Sequence, residues 1–246
     1  SKNQSISIQM LRIAATSGTT AIFATPHDIE RANKPSWEEI KEKTQQLRQL
    51  CAEAQIDIML YPGAEVQMNW ELLPELGATG AYCLNGGRYL LIELPAAEIP
   101  AYADEFWYEL ELKGITPILA HPERYQQLRE NPDLLLLWRR RGMLMQCNSG
   151  SFTGMFGSSV CENAKVLLAN GLVDLLGSDG HRSEGRNTDM SRAAAVIRQL
   201  AGEEVLRQLT ETNPQAILKN QEIELKQPKV LLEDKPKSFW QKLFGK

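Results

Sequence analysis

The chain contains three histidines, and each lies at or just beyond the end of a short apolar run that reads as a β-strand. Three carboxylates stand at equivalent places, so the candidate metal ligands are His27, Glu65, Glu93, His121, Asp179 and His181. The carboxyl ends of parallel strands in a barrel meet at one rim, where these side chains would converge. Imidazole nitrogens mixed with carboxylate oxygens suit Mn²⁺, Fe or Zn²⁺, and the lack of a cysteine in the set disfavours a structural zinc site.

Phosphate chemistry is the use that such a cluster suggests. Divalent ions about 3.5 to 4 Å apart can lower the pKa of a bridging water and hold a phosphoryl group for in-line attack. Arg124 and Arg186 follow His121 and Asp179 on the same predicted rim, and their planar guanidiniums match phosphate oxygens. A surface ion pair is the alternative role for each arginine. The glycine-rich residues 149–157 are either an ordinary loop or a wall of the site that offers backbone amides to an anion.

Other hydrolytic and nucleotide-binding signatures are missing. The sequence contains no G-x-S-x-G, no Walker A loop and no G-x-G-x-x-G after a strand. A cysteine phosphatase would need an arginine six residues after its nucleophile, but those positions hold Asp57, Tyr89, Thr153 and Leu167. A metal-assisted reaction therefore remains.

Alternating strands and helices must position the candidate ligands. Strands are predicted at residues 19–24, 56–61, 89–93, 116–120, 144–147 and 172–177, and helices at about 6–17, 36–54, 98–113, 131–141, 158–169, 190–200 and 203–211. Apolar strands that alternate with helices through short connections indicate parallel βαβ units. The length of 246 residues suits one α/β barrel better than two domains.

Composition fits a globular chain with 43% hydrophobic and 24% charged residues. We expect neither a membrane span nor a secretory leader. The net charge is −4, and the lysine-rich tail from residue 226 makes the rest of the chain more acidic still, which disfavours nucleic-acid binding. The expectation of no membrane span and no leader predicts a cytoplasmic protein, and because the four cysteines form no C-x-x-C pair we expect reduced thiols.

Six strings in order carry a family resemblance: ATPH (24–27), YPGAE (61–65), YLLIELP (89–95), AHPERY (120–125), GSFTGMFG (150–157) and SDGH (178–181). Over about residues 5–220 the chain resembles the bacterial metal-dependent protein-tyrosine phosphatases of the CpsB/YwqE type, in the polymerase-and-histidinol-phosphatase (PHP) superfamily. The resemblance implies a distorted (β/α)7 barrel over residues 1–222, followed by a lysine- and proline-containing extension at 223–246.

The resemblance also implies a chemistry. A centre of two to three ions, usually supported by manganese, would hydrolyse phosphotyrosine on the tail of a bacterial tyrosine autokinase that controls capsule or exopolysaccharide synthesis. The six candidate ligands match the family's ligands, with Glu65 placed to bridge two ions, and Arg124 and Arg186 match the arginines that hold phosphate or assist catalysis. A homo-oligomer is compatible with this family.

One departure concerns the start of the chain. The family begins with a strand that carries a His-x-His pair, ahead of the helix that starts here near Ser5, and the printed sequence has no such pair. We therefore expect one strand and two metal ligands to be missing. Two alternatives stay open: another PHP phosphoesterase that acts on a small ester such as histidinol phosphate, and an impaired barrel that binds a partner without hydrolysis.

Overall fold

The computed structural model describes residues 4–27, 35–76, 80–226 and 228. The helices are α1 (Gln4–Thr16), α2 (Trp37–Glu53), α3 (Ala103–Leu112), α4 (Gln126–Glu130), α5 (Asp133–Arg140), α6 (Ser149–Phe152), α7 (Ser158–Ala169), α8 (Ser191–Ala201), α9 (Glu203–Arg207) and α10 (Asn213–Leu218). The strands are β1 (Ala21–Ala24), β2 (Met59–Pro62), β3 (Glu65–Gln67), β4 (Tyr89–Glu93), β5 (Thr116–Ala120), β6 (Leu144–Asn148) and β7 (Leu175–Gly177). Among these described residues, no helix is long and apolar enough to cross a bilayer.

Local sequence signals account for several boundaries. The start of α2 is a capping box, in which Ser36 Oγ accepts from the Glu39 N–H and the Glu39 carboxylate accepts from the Ser36 N–H. The helix predicted from residue 98 begins at Ala103, after Pro100 and a turn. The segment predicted as a helix at 203–211 ends its α-helical part at Arg207 and continues as a short π-helix at Gln208–Thr212. The residues of the predicted C-terminal extension lie mostly outside the described part of the chain.

All the paired strands run parallel, as predicted. One sheet has the order β3-β4-β5-β6-β7, and β1 pairs with β2. The register that pairs Ala21 with Met59 continues without a shift to an isolated bridge between His27 and Glu65. The strands β2 and β3 are therefore two parts of one extended run, and the sequence predicted only its first part. Gly63 lies at the break, where an added Cβ would be 2.7 Å from Leu84 Cδ2.

The array of strands curves. The residues that follow β1 and β7, at opposite ends of the strand order, bring His27 Nε2 and His181 Nε2 to 3.3 Å from each other. Within the described ranges no strand pairs with the outer edge of β1 or of β7. The prediction of an α/β fold built on parallel strands is confirmed.

Alternation along the strands separates two apolar layers. Tyr89 and Leu91 of β4 pack with Ile118, Leu144 and Leu175 in one cluster inside the curve of the sheet. The intervening residues of the same strands join a larger cluster with the surrounding helices. Side chains on a strand alternate between its two faces. Glu93 of β4 and Asn148 of β6 therefore lie on the same face of the sheet as the first cluster. The register of the sheet thus points two polar residues toward its concave side at the carboxyl ends of the strands.

Candidate metal centre

The ends of β1, β4 and β5 and the start of β3 bring four predicted ligands into one group. His121 Nε2 lies 3.0 Å from Glu65 Oε1 and 3.6 Å from Glu93 Oε2. His27 Nδ1 lies 3.4 Å from Glu93 Oε1 and 4.0 Å from Glu65 Oε2. Glu65, Glu93 and His121 are buried, and the His27 side chain is 30% exposed. The group therefore places two carboxylates between two imidazoles at the bottom of the site.

The other two predicted ligands lie on the opposite side of His27. Its Nε2 is 3.3 Å from His181 Nε2, and His181 Nδ1 is 3.4 Å from Asp179 Oδ1. Candidate ligand atoms of His27, Asp179 and His181 all lie within 4.8 Å of one another, as do those of His27, Glu65 and Glu93. Two overlapping ligand groups thus share His27, which is the arrangement that more than one ion would require.

Unsatisfied polar atoms test whether the site fits a metal. Among the described residues, the buried His121 Nδ1 has no hydrogen-bond partner, and neither His27 Nδ1 nor Glu93 Oε1 forms a hydrogen bond although the two atoms lie 3.4 Å apart. Buried polar atoms ordinarily find partners, and a missing ion is one reason for an exception. The donor set contains nitrogen and oxygen and no thiolate, which fits Mn²⁺, Fe or Zn²⁺.

Electrostatics within the group favour a cation. Burial opposes the charge on His121, but hydrogen bonds with Glu65 and Glu93 outweigh it and raise the pKa of His121 to about 9. Burial likewise opposes the charge on Glu93, and its contacts with His121 and His27 lower the pKa of Glu93 to about 2. The Glu93 carboxylate also raises the pKa of His27. The Glu93 carboxylate thus stays ionised, and it attracts positive charge to this part of the site.

Two of the predicted ligands have a left-handed backbone. His121 has φ 38° and Asp179 has φ 49°, although neither is glycine. A non-glycine residue in this region costs about 1–3 kcal/mol, and such residues concentrate at functional sites. His121 directly follows β5, and Asp179 lies two residues after β7. The left-handed turn at each residue directs its side chain over the end of the strand.

Both predicted arginines contact the same carboxylate. Asp179 Oδ2 accepts from Arg186 and lies 3.4 Å from an Arg124 guanidinium nitrogen. Arg186 Nε is buried and has no partner among the described residues. Each arginine therefore forms an ion pair, and its partner is a candidate metal ligand at the rim of the site.

Sequence reasoning missed Asn148 and Glu123. Asn148 is fully buried and donates to Asp179 Oδ2 at 2.6 Å, while Gln146 Nε2 donates to Asn148 Oδ1 at 2.9 Å. Glu123 is also fully buried, and its carboxylate accepts from the Asn148 N–H at 3.0 Å and from Ser151 Oγ at 2.6 Å. The strand-end rule that found the other residues also covers Asn148, but an amide was not counted as metal-capable.

A parallel α/β fold whose strand ends gather imidazoles, carboxylates and guanidiniums defines a class of proteins suited to divalent ions and phosphate. Comparison with known proteins then identifies the family. Residues 1–219 match the family described as "Capsular polysaccharide synthesis, CpsB/CapC". The chain belongs to this family.

The relatives have informative names. The chain is 35% identical over 217 residues to "Tyrosine-protein phosphatase YwqE" of Bacillus subtilis, covering 88% of this chain and 85% of that protein. It is 27% identical over 225 residues to "Tyrosine-protein phosphatase CpsB" of Streptococcus pneumoniae, covering 89% and 93%. A solved structure from work on YwqE and CpsB, titled as "unique metal-dependent tyrosine phosphatases", superposes with a TM-score of 0.87 at 32% identity, covering 94% of this chain and 93% of that one.

Proposed function

We propose that this chain hydrolyses phosphotyrosine on a protein in a metal-dependent reaction. The observation that supports this most directly is the contact between two guanidiniums and Asp179, beside two overlapping ligand groups. Candidate ligands for divalent ions and guanidinium donors for phosphate oxygens thus lie next to each other at one rim of the site. The names of the relatives point to the same reaction.

We further propose roles for the residues. Two to three ions would be held by the six candidate ligands, His27, Glu65, Glu93, His121, Asp179 and His181, and manganese is the metal that we propose. Bound divalent ions supply a water activated for attack near neutral pH and offset the charge of the phosphoryl group.

Arg124 and Arg186 would bind the non-bridging oxygens of the phosphoryl group. A guanidinium offers in-plane N–H donors that match two phosphate oxygens, and it keeps its charge at any working pH. Their side chains are 32% and 28% exposed, so a phosphate at the rim could reach them without unfolding of the site. Because phenolate is a good leaving group, offsetting negative charge would contribute more than protonating the leaving oxygen.

The proposed substrate is the tyrosine-rich tail of a bacterial tyrosine kinase that acts in capsule or exopolysaccharide synthesis. The family description supports the capsule context. We propose a cytoplasmic location, which the four free cysteines support.

The deciding experiment measures phosphate release from a phosphotyrosyl peptide with added Mn²⁺ and with a chelator. The chain is assayed as printed and with an added N-terminal strand that carries a His-x-His pair. Turnover that needs Mn²⁺ and stops with chelator would support the proposal. Faster turnover of histidinol phosphate would favour the small-ester alternative, and peptide binding without hydrolysis in both versions would favour a binding role.

A further inference from the structure

Phe156 lies beside both arginines of the site. The Arg124 guanidinium carbon is 4.7 Å from the centre of the Phe156 ring, and the Arg186 guanidinium carbon is 5.5 Å from it. Phe156 is half-buried in the loop between α6 and α7. One aromatic ring thus contacts two cations that come from different strand ends.

The backbone beneath the ring leaves it room. A Cβ added to Gly150 would be 3.0 Å from Phe156 Cε2 and 2.9 Å from Met155 Sδ. Gly150 is the second residue of α6, and α6 begins directly after β6 ends at Asn148. The absence of a side chain at residue 150 therefore lets the loop pack closely against the end of β6, next to the donor that holds Asp179.

The contact restrains the arginines without using up their hydrogen bonds. The negative face of an aromatic ring attracts a cation within about 6 Å of its centre, and it does not require the in-plane N–H donors. Two guanidiniums held close together repel each other, and in the described part of the chain they share Asp179 and Phe156. If Asp179 coordinates an ion, part of its charge goes to that ion, and the ring remains as the partner common to both arginines.

We propose that Phe156 is a positioning residue, whose ring holds Arg124 and Arg186 in place to bind the phosphoryl group. The inference rests on the proposed function for its role in turnover. Its central claim, that the ring strengthens phosphate binding through the two arginines, can be measured without turnover.

The test compares Phe156→Leu with the unaltered chain, both loaded with Mn²⁺. Calorimetry gives the affinity for inorganic phosphate, kinetics with a phosphotyrosyl peptide give kcat and KM, and metal analysis gives the Mn²⁺ content. Leucine keeps an apolar side chain but has no ring, so we expect phosphate affinity and kcat/KM to fall about tenfold. The Mn²⁺ content should stay unchanged, because Phe156 contacts the arginines and is not a candidate metal ligand.

Two further variants separate positioning from simple packing. Phe156→Trp keeps an aromatic face and should retain most of the phosphate affinity. Met155→Ala alters an exposed neighbour in the same loop, 48% exposed, and should leave both measurements unchanged.

Unchanged phosphate affinity in Phe156→Leu would overturn the inference, and so would an equal loss in Met155→Ala or a loss of Mn²⁺ in Phe156→Leu. If the unaltered chain binds phosphate but hydrolyses no phosphotyrosyl peptide, the proposed function fails. The comparison of phosphate affinities would still decide the role of Phe156.

Discussion

Replacing Asn148 with alanine removes a neutral donor from a candidate metal ligand. The Asn148 amide donates to Asp179 Oδ2 at 2.6 Å; Asn148 itself is fully buried, and the hydrogen bond is partly buried. A hydrogen bond to a charged group contributes about 1.5–3 kcal/mol, and loss of an outer partner of a metal ligand typically lowers metal affinity about 10- to 100-fold. We therefore expect the Mn²⁺ concentration for half-maximal phosphatase activity to rise by about one to two orders of magnitude in Asn148→Ala.

The assay titrates Mn²⁺ against turnover of a phosphotyrosyl peptide, with direct calorimetric binding as a check. Asn170→Ala is the matched control, because Asn170 is also a buried asparagine, and its amide donates to the Val166 carbonyl at 2.8 Å. Both variants should lose stability, but only Asn148→Ala should weaken Mn²⁺ binding. Equal Mn²⁺ affinity in the two folded variants would refute the reasoning that Asn148 orients Asp179.

Other predictions concern single side chains. His121→Ala should lose bound metal and nearly all activity, and a metal-loaded variant with normal turnover would contradict its role as a ligand. Arg124→Ala should lower turnover while the Mn²⁺ content, measured by elemental analysis, stays the same. Asp174→Ala should cost about 3–5 kcal/mol in urea unfolding, because it leaves the buried Arg139 guanidinium without a counter-charge. Because the pKa of His121 is raised to about 9, its protonated form stabilises the metal-free fold, fully so below pH 6.5. This contribution to stability is lost as the pH rises through 9. Since Mn²⁺ must displace that proton, the increase in Tm caused by Mn²⁺ should grow over this range, and an increase independent of pH would count against it.

The sequence predicted the parts of the fold that depend on short segments. The strands at 89–93 and 116–120 and the helix at 158–169 match the observed bounds, because each is a dense apolar or amphipathic run with clear breaks. The strand β3 was missed because only three residues form it and the first of them is Glu65. Its pairing comes from the neighbouring β4, which lies 26 residues further along in the chain.

The features of the site that the sequence did not predict depend on tertiary contacts. The strand-end rule singled out all six candidate ligands, since it needs only the order of strands, although the structure places Glu65 at the start of β3 and not after a strand. It could not show that Arg124 and Arg186 share Asp179, because the first of these contacts joins residues 55 positions apart. The sequence pattern assigns no role to Glu123, and only the fold reveals that its carboxylate anchors the start of α6.

Backbone strain marks where the fold favours geometry of the site over local stability. Glu93 needs no unusual backbone, because its place in β4 already points it to the concave side with Tyr89 and Leu91. His121 and Asp179 come after their strands have ended, and both adopt positive φ. Strain of about 1–3 kcal/mol per residue persists only where the surrounding structure enforces it. Here the enforcing contacts are the carboxylates around His121 and the donors around Asp179, the groups through which a bound cation and a phosphate would act. Binding of ions would therefore stabilise the backbone turns that create their own site.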